Sequence, residues 1–199
     1  SPGDTLYVKS GTYAESLDAF PSGTSWANPV TLMAYPGDIA TIRPGSGKEL
    51  LRFQHCSYVI IDGFVLDGNN DVEVVVLITS EAHHIRIQNS EVMGASRWGG
   101  ILTNSDSGYN EFIHLDVHDN GATEFHHGLY IATSNNVIDH CSIHHNAGWG
   151  VHIYSEGCDI CANNNIVSNN VIYGNVRGAG VILSSGSGNL AYNNLVWEN

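Results

Sequence analysis

Positive charge is scarce in this chain of 199 residues: lysine and arginine together number 7, against 20 aspartates and glutamates, for a formal net charge of -13. There is no basic patch to neutralise phosphates, which argues against nucleic acids and anionic membrane surfaces as partners. An anionic polymer is repelled as well, unless a cation or a few placed arginines intervene. Long apolar runs are missing too, and none approaches the roughly 18 residues of a membrane helix. No signal-peptide pattern opens the chain, and SPGDTLYV reads as the interior of a longer protein. Helical periodicity is absent throughout. Cysteine is sparse, and only Cys158 and Cys161, in CDIC, are closely spaced. That pair lacks a second pair or a βαβ context for a metal or redox site, which leaves a local disulfide or two plain thiols.

What the chain has in abundance is Gly, Asn, Ser and repetition. Apolar–x–x–Asn segments recur as LDGN ending at Asn69, VHDN at Asn120, IHHN at Asn146, IYGN at Asn175 and VWEN at Asn199, with VMGA ending at Ala95 filling the gap. Their spacing of about 24 to 29 residues is that of a β-solenoid coil. Aligned on these anchors, the coils form columns. Ile61, Ile87, Phe112, Ile138, Val167 and Ala191 make one, and Leu66, Val92, Val117, Ile143, Ile172 and Val196 another. Between them runs a polar column, Gly63, Asn89, His114, His140, Asn169 and Asn193, read as a buried turn ladder in which histidine twice replaces asparagine. A third segment reads VVVLITS, GGILTNS, HGLYIAT, WGVHIYS and AGVILSS. Its apolar positions alternate with period two, the signature of a strand. Each coil therefore holds three short strands joined by turns, in a single all-β domain over 1–199, with like residues stacked about 4.8 Å apart. Asparagine suits such turns, because each amide satisfies its neighbours above and below.

This repeat, with GDTLYVKSGTYAESL, PVTLMAYPGDIATIRP and YVIIDGFVLDG ahead of it, resembles the right-handed parallel β-helix proteins of the pectate-lyase-like superfamily. The resemblance implies a right-handed parallel β-helix, a secreted or cell-surface setting and a polysaccharide as partner. In that family a capping segment precedes GDTLYV, and further coils or a cap follow the last repeat. The chain is therefore read as a fragment lacking one or both caps. Uncapped ends expose apolar core and strand edges, and are expected to be covered by another subunit, through end-to-end self-association, or by missing chain.

Parity along the third strand sorts its side chains. Trp98, Gly100, Leu102 and Asn104 point outward in one coil, His126, Gly128, Tyr130 and Ala132 in the next, and Gly148, Gly150, His152 and Tyr154 in the one after. His127 and Trp149 take inward parity and plug the turn. The glycine column has two readings, tight packing or the floor of a sugar groove. In the second reading Gly128 and Gly150 bind substrate together with Trp98 and Asn104. Tyr130 and His152 share a column on adjacent coils, with Tyr154 beside them and His126 at the rim. They form either a surface ladder or a pair that removes and delivers protons near neutral pH. Arg177 lies one coil beyond His152, where a guanidinium neutralises a uronate carboxylate bidentately unless it is merely a solvated turn residue.

Elsewhere, His118 and His144 share an outward column of a different sheet with Glu91 and Asp116 nearby, a solvated polar face or a divalent-metal site. Asp119 and Glu124, in DNGATE, are the best local donors for Ca²⁺, or else an ordinary acidic turn.

The residues and the resemblance together give a leading function: a polysaccharide lyase acting by β-elimination on a uronate-containing polymer. Arg177 or a cation neutralises the carboxylate, His152 takes the C5 proton and Tyr130 serves the leaving oxygen, with Tyr154 and His126 in reserve. A uronate C5-epimerase uses much the same groups. A glycoside hydrolase needs two carboxylates, and the outward strand positions offer only Glu73. The alternative from another class is a non-catalytic carbohydrate-binding or surface-structural module.

Overall fold

The structure, a computed structural model, describes residues 1–156, 158, 161–176 and 178–199. It is a right-handed parallel β-solenoid of about 7 turns, with no helix among the described residues. Its strands stack in three columns. The first runs from Thr5–Val8 to Leu190–Tyr192, the second from Gly11–Ala14 to Leu195–Trp197, and the third from Glu49–Gln54 to Val181–Leu183. Two long strands, Phe64–Thr79 and Glu91–Thr103, join the second and third columns into one sheet. In those coils the expected separate short strands are fused. Register shifts between Asp67 and Val72, and again before Val74, absorb the bend.

The register follows the repeat. Ile61 pairs with Ile87, Ile87 with Phe112, Phe112 with Ile138 and Ile138 with Val167. On the second column Leu66, Val92, Val117, Ile143 and Ile172 follow one another in the same way. All of these side chains are fully buried. They are mostly β-branched, which suits a pleated, packed surface. Each contributes about 1.5–3 kcal/mol by leaving water. In the last coil Leu190, Leu195, Val196 and Trp197 are exposed.

The corner between the first two columns differs from the expectation. Gly63, Asn89, His114, His140, Asn169 and Asn193 all have positive φ, at 81, 49, 53, 54, 58 and 56°. Left-handed backbone is what selects glycine and asparagine here. His114 and His140 are exposed rather than buried in a ladder. The buried polar position is the next residue. Asn170 Oδ1 accepts the Cys141 N–H at 2.8 Å, and Asn194 Oδ1 accepts from Asn170 Nδ2 at 3.0 Å.

Two further columns of amides line the other corners. Asn120, Asn146, Asn175 and Asn199 are chained Nδ2 to Oδ1 at 3.0, 3.0 and 2.7 Å. Asn110, Asn136, Asn165 and Asn189 are chained at 3.0, 2.9 and 3.1 Å. Each amide thus meets its needs without water, which removes the cost of burying it.

Cys158 and Cys161 form a disulfide. Cys56 and Cys141 are buried thiols, pushed by burial up to about 11 and about 12. Among the described residues no helix is long and apolar enough to cross a membrane.

Candidate functional site

The third sheet carries the candidate site, and the corner that leads into it breaks the strand parity. Gly128 faces inward, as its neighbour Leu129 does. A Cβ on Gly128 would stand 2.8 Å from Asn146 Nδ2 and 3.0 Å from Ile143 Cγ2. On Gly150 it would stand 2.8 Å from Ile172 Cγ2 and 3.0 Å from Asn175 Nδ2. The glycines therefore let the third sheet close tightly on the asparagine column and the core. This corrects the sugar-groove reading, since Gly128 and Gly150 do not form a groove floor. Two consecutive inward positions also put the preceding residue on the outer face. His127 and Trp149 thus leave the core and join the rings of Tyr130, His152 and Tyr154.

These rings form one packed cluster. His127 stacks on Trp149 with centroids 4.8 Å apart, and both meet His152 edge-on at 4.9 and 4.4 Å. His152 lies between Tyr130 and Tyr154, at 5.2 Å from each. The neighbours leave His127 only 4% exposed and His152 only 7%. Burial disfavours the charged form. It brings His152 down to about 4, and His127, which also feels His152 and His126, down to about 3. Both rings are neutral near pH 7.

A backbone donor fixes their tautomers. The Trp149 N–H donates to His127 Nδ1 at 3.2 Å, so the proton of the neutral ring sits on Nε2. That N–H faces His152 Nδ1 at 3.3 Å, which must accept. His152 therefore carries its proton on Nε2, 3.1 Å from Ser184 Oγ. At the nitrogen facing outward His152 offers a proton and no lone pair. The expected base is a donor in this geometry.

Beside the cluster runs a cleft of about 450 Å³, lined among others by Tyr130, Trp98, Asn104, Glu49, Glu73 and Glu156. Tyr130 forms part of its wall, and its hydroxyl makes no hydrogen bond among the described residues. Burial, with Tyr154 and Glu156 adding to it, raises the phenol and keeps it protonated. Asn104 Oδ1 is buried without a partner. Trp98 is 45% exposed and donates from Nε1 to Glu73 Oε2 at 3.2 Å. Glu73 also takes Lys48 Nζ at 3.0 Å and lies 3.8 Å from Arg97. Lys48 first, then Trp98 and Arg97, hold this carboxyl below the usual range against the opposing pull of desolvation.

The remaining candidates fall elsewhere. His126 folds back on its own turn, where its Nδ1 accepts the Ala122 N–H at 3.0 Å, and its ring stacks on none of the cluster's rings among the described residues. Its neighbour His127 takes the place expected of it. Tyr154 joins the cluster, 6.4 Å from Tyr130. Arg177 lies outside the described residues. Asp119 bonds His118 Nδ1 at 2.8 Å, and no group of three or more His, Cys, Asp or Glu side chains arranged to hold a metal ion occurs among the described residues. Sequence reasoning missed Glu49 and Glu156 as cleft residues and Lys48 as the partner of Glu73. Glu49 and Lys48 precede the first recognisable strand of the repeat, and Glu156 follows the last residue with strand periodicity.

Residues 45–196 match the family described as the right-handed β-helix region, and the chain belongs to that family. Among solved structures it is similar to pectate lyase Pel9A, with a TM-score of 0.65 and 15% identity over 91% of this chain and 47% of that one. It is similar to ORF18 of Geobacillus virus E2 at a TM-score of 0.58 and 15% identity, over 89% of this chain and 42% of that one. The alginate lyase AlyGC, of the PL6 family, gives a TM-score of 0.53 and 16% identity over 97% of this chain and 35% of that one. At such identities the likeness is one of fold, and the chain spans less than half of each of these structures. No curated protein matches it in sequence.

Proposed function

We propose that the chain binds an acidic polysaccharide along the cleft of the third sheet and cleaves it by β-elimination. The observation that carries this reading is Tyr130, a phenol kept protonated by burial, with its hydroxyl unspent, on the wall of the cleft. Trp98 offers an exposed ring to a sugar face. In the elimination a carboxylate lining the cleft, Glu49 or Glu156, takes the C5 proton, the C5–H electron pair forms the C4=C5 bond, and the C4–O bond breaks. The departing oxygen takes its proton from Tyr130. Pectate and alginate, named in two proteins of the same fold, are both acidic polysaccharides, which supports the substrate class. The Cys158–Cys161 disulfide supports an oxidising, extracellular setting.

One observation favours a second reading, a non-catalytic binding module. The outward nitrogen of His152 carries a proton, so the histidine cannot take one from C5.

The test is incubation with pectate, alginate and a neutral glucan while the absorbance of unsaturated product is followed. Product from an acidic polymer alone is expected. Binding without product would overturn the lyase in favour of the module.

A further inference from the structure

We propose that Arg52 forms an anion subsite at the Glu49–Gln54 end of this cleft and receives the carboxylate of a bound acidic sugar. The inference rests on the reading of the cleft as a saccharide site and names the group that admits a charged substrate. Cations are few, and most are spent. Arg43 pairs with Asp67, Arg86 with Glu111, and Lys48 and Arg97 both with Glu73. Lys9 lies over the Tyr35 ring at 3.6 Å.

Arg52 alone among the described cations makes no side-chain hydrogen bond, ion pair or ring contact. Its Nε is buried without an acceptor. Asp18 flanks the same strand, because Leu17 bridges Leu51, yet it forms no ion pair with the guanidinium. A guanidinium with no acceptor is costly to hold against the sheet, and a carboxylate bound at its outer nitrogens, which are not among the buried unpaired atoms, offsets that cost.

The position of Arg52 on the sheet fits. Its neighbours Leu51 and Phe53 are core residues, so Arg52 takes the outward parity. In register it pairs with Leu77, Leu77 with Leu102 and Leu102 with Tyr130. Leu77, Leu102 and Tyr130 all line the cleft. Arg52 and Tyr130 thus lie on one row, three coils apart, at about 14 Å. A polymer running along that row meets the guanidinium before the phenol. Glu49, Glu73 and Glu156 otherwise give the cleft a repulsive field for an acidic sugar. Arg52 answers that repulsion at one defined place.

The test uses the full chain labelled with ¹⁵N-arginine. The Nε–H signal of Arg52 is assigned by its loss in Arg52→Gln, with Arg52→Lys as a second variant should the first fail to fold. The probes are a galacturonate tetramer and a neutral glucose tetramer. The galacturonate oligomer is expected to shift this signal and the neutral one to leave it unmoved, and Arg52→Gln should weaken galacturonate binding about tenfold. An unmoved signal with the acidic oligomer, or equal shifts with both, would overturn the subsite. Cleavage is scored separately: a shift without cleavage leaves the subsite standing on a binding module, and cleavage without a shift removes the subsite and keeps the lyase.

Discussion

Two faces of this solenoid carry stacked columns of histidine and aromatic rings, and they spend their polar atoms in different ways. On the second column His118, His144, Tyr173 and Trp197 stack at 4.9, 4.8 and 4.6 Å. Each histidine there has a carboxylate: His118 bonds Glu91 at 3.0 Å and Asp119 at 2.8 Å, and His144 bonds Asp116 at 2.9 Å. On the third column the histidines bond each other and Ser184 and have no carboxylate, while Tyr130, whose hydroxyl makes no hydrogen bond among the described residues, lines the cleft. Tyr173 and Trp197 make no side-chain hydrogen bond among the described residues either, so the two ladders differ in how their histidines are held. The third column also differs in lying beside the cleft that Tyr130 lines. The residue types alone do not separate the two, but the partners of their histidines do.

The contrast can be broken in several ways. The largest effect is expected from removing a ring. His152→Ala empties a site bounded by four other rings and should cost about 3 kcal/mol in urea unfolding. His144→Ala, on the more open ladder, should cost about 1 kcal/mol. Equal costs would erase the distinction in packing.

Acid should next separate His152 from His118, while His144, which burial lowers, follows His152. His152 sits at about 4 in the folded chain against about 6.5 when unfolded, so between those values the unfolded chain binds the extra proton. Stability from this group is complete above pH 6.5 and falls as pH drops towards 4, by about 3 kcal/mol. His118 has the opposite sign. Burial lowers it, but Asp119, Glu91 and Asp116 outweigh burial and raise it, so its contribution is present in acid and is lost as pH rises through its folded value. A stability profile of His152→Phe that keeps the full acid loss would contradict the first assignment.

Gly150→Ala sharpens the reading of the corner. The added methyl meets Gly180 O at 2.6 Å and Ile172 Cγ2 at 2.8 Å, so a loss of about 2 kcal/mol is expected with saccharide affinity unchanged in the folded fraction. A groove floor would show the reverse. The smallest effect belongs to the far ladder. Glu91→Gln should change stability by less than about 1 kcal/mol, because the pair is partly solvated.

The core of the fold was legible because a solenoid writes its structure as translation. Ile87, Phe112 and Ile138 stand at one coil position, and their pairing needs only the repeat length. The corner before the third sheet was not legible, because parity assumes unbroken alternation. At Gly128 and Gly150 the absence of a side chain lets two successive residues face the core, and that exchanged His126 for His127 in the cluster. Tyr130 and His152 were found as neighbours, but the roles differ, since the proton of His152 is set by the Trp149 backbone in a neighbouring turn. Arg52 and Glu49 were missed because their coil ends before the first Asn anchor. No column pointed to the outer face of that strand.

The most direct measurement compares equivalent truncations on the two faces, Tyr130→Phe and Tyr173→Phe, by the rate of unsaturated product from an acidic polysaccharide. The account predicts a fall of about 10²-fold or more for Tyr130→Phe with affinity retained, and a wild-type rate for Tyr173→Phe. Wild-type cleavage by Tyr130→Phe, or equal losses in both, would contradict it.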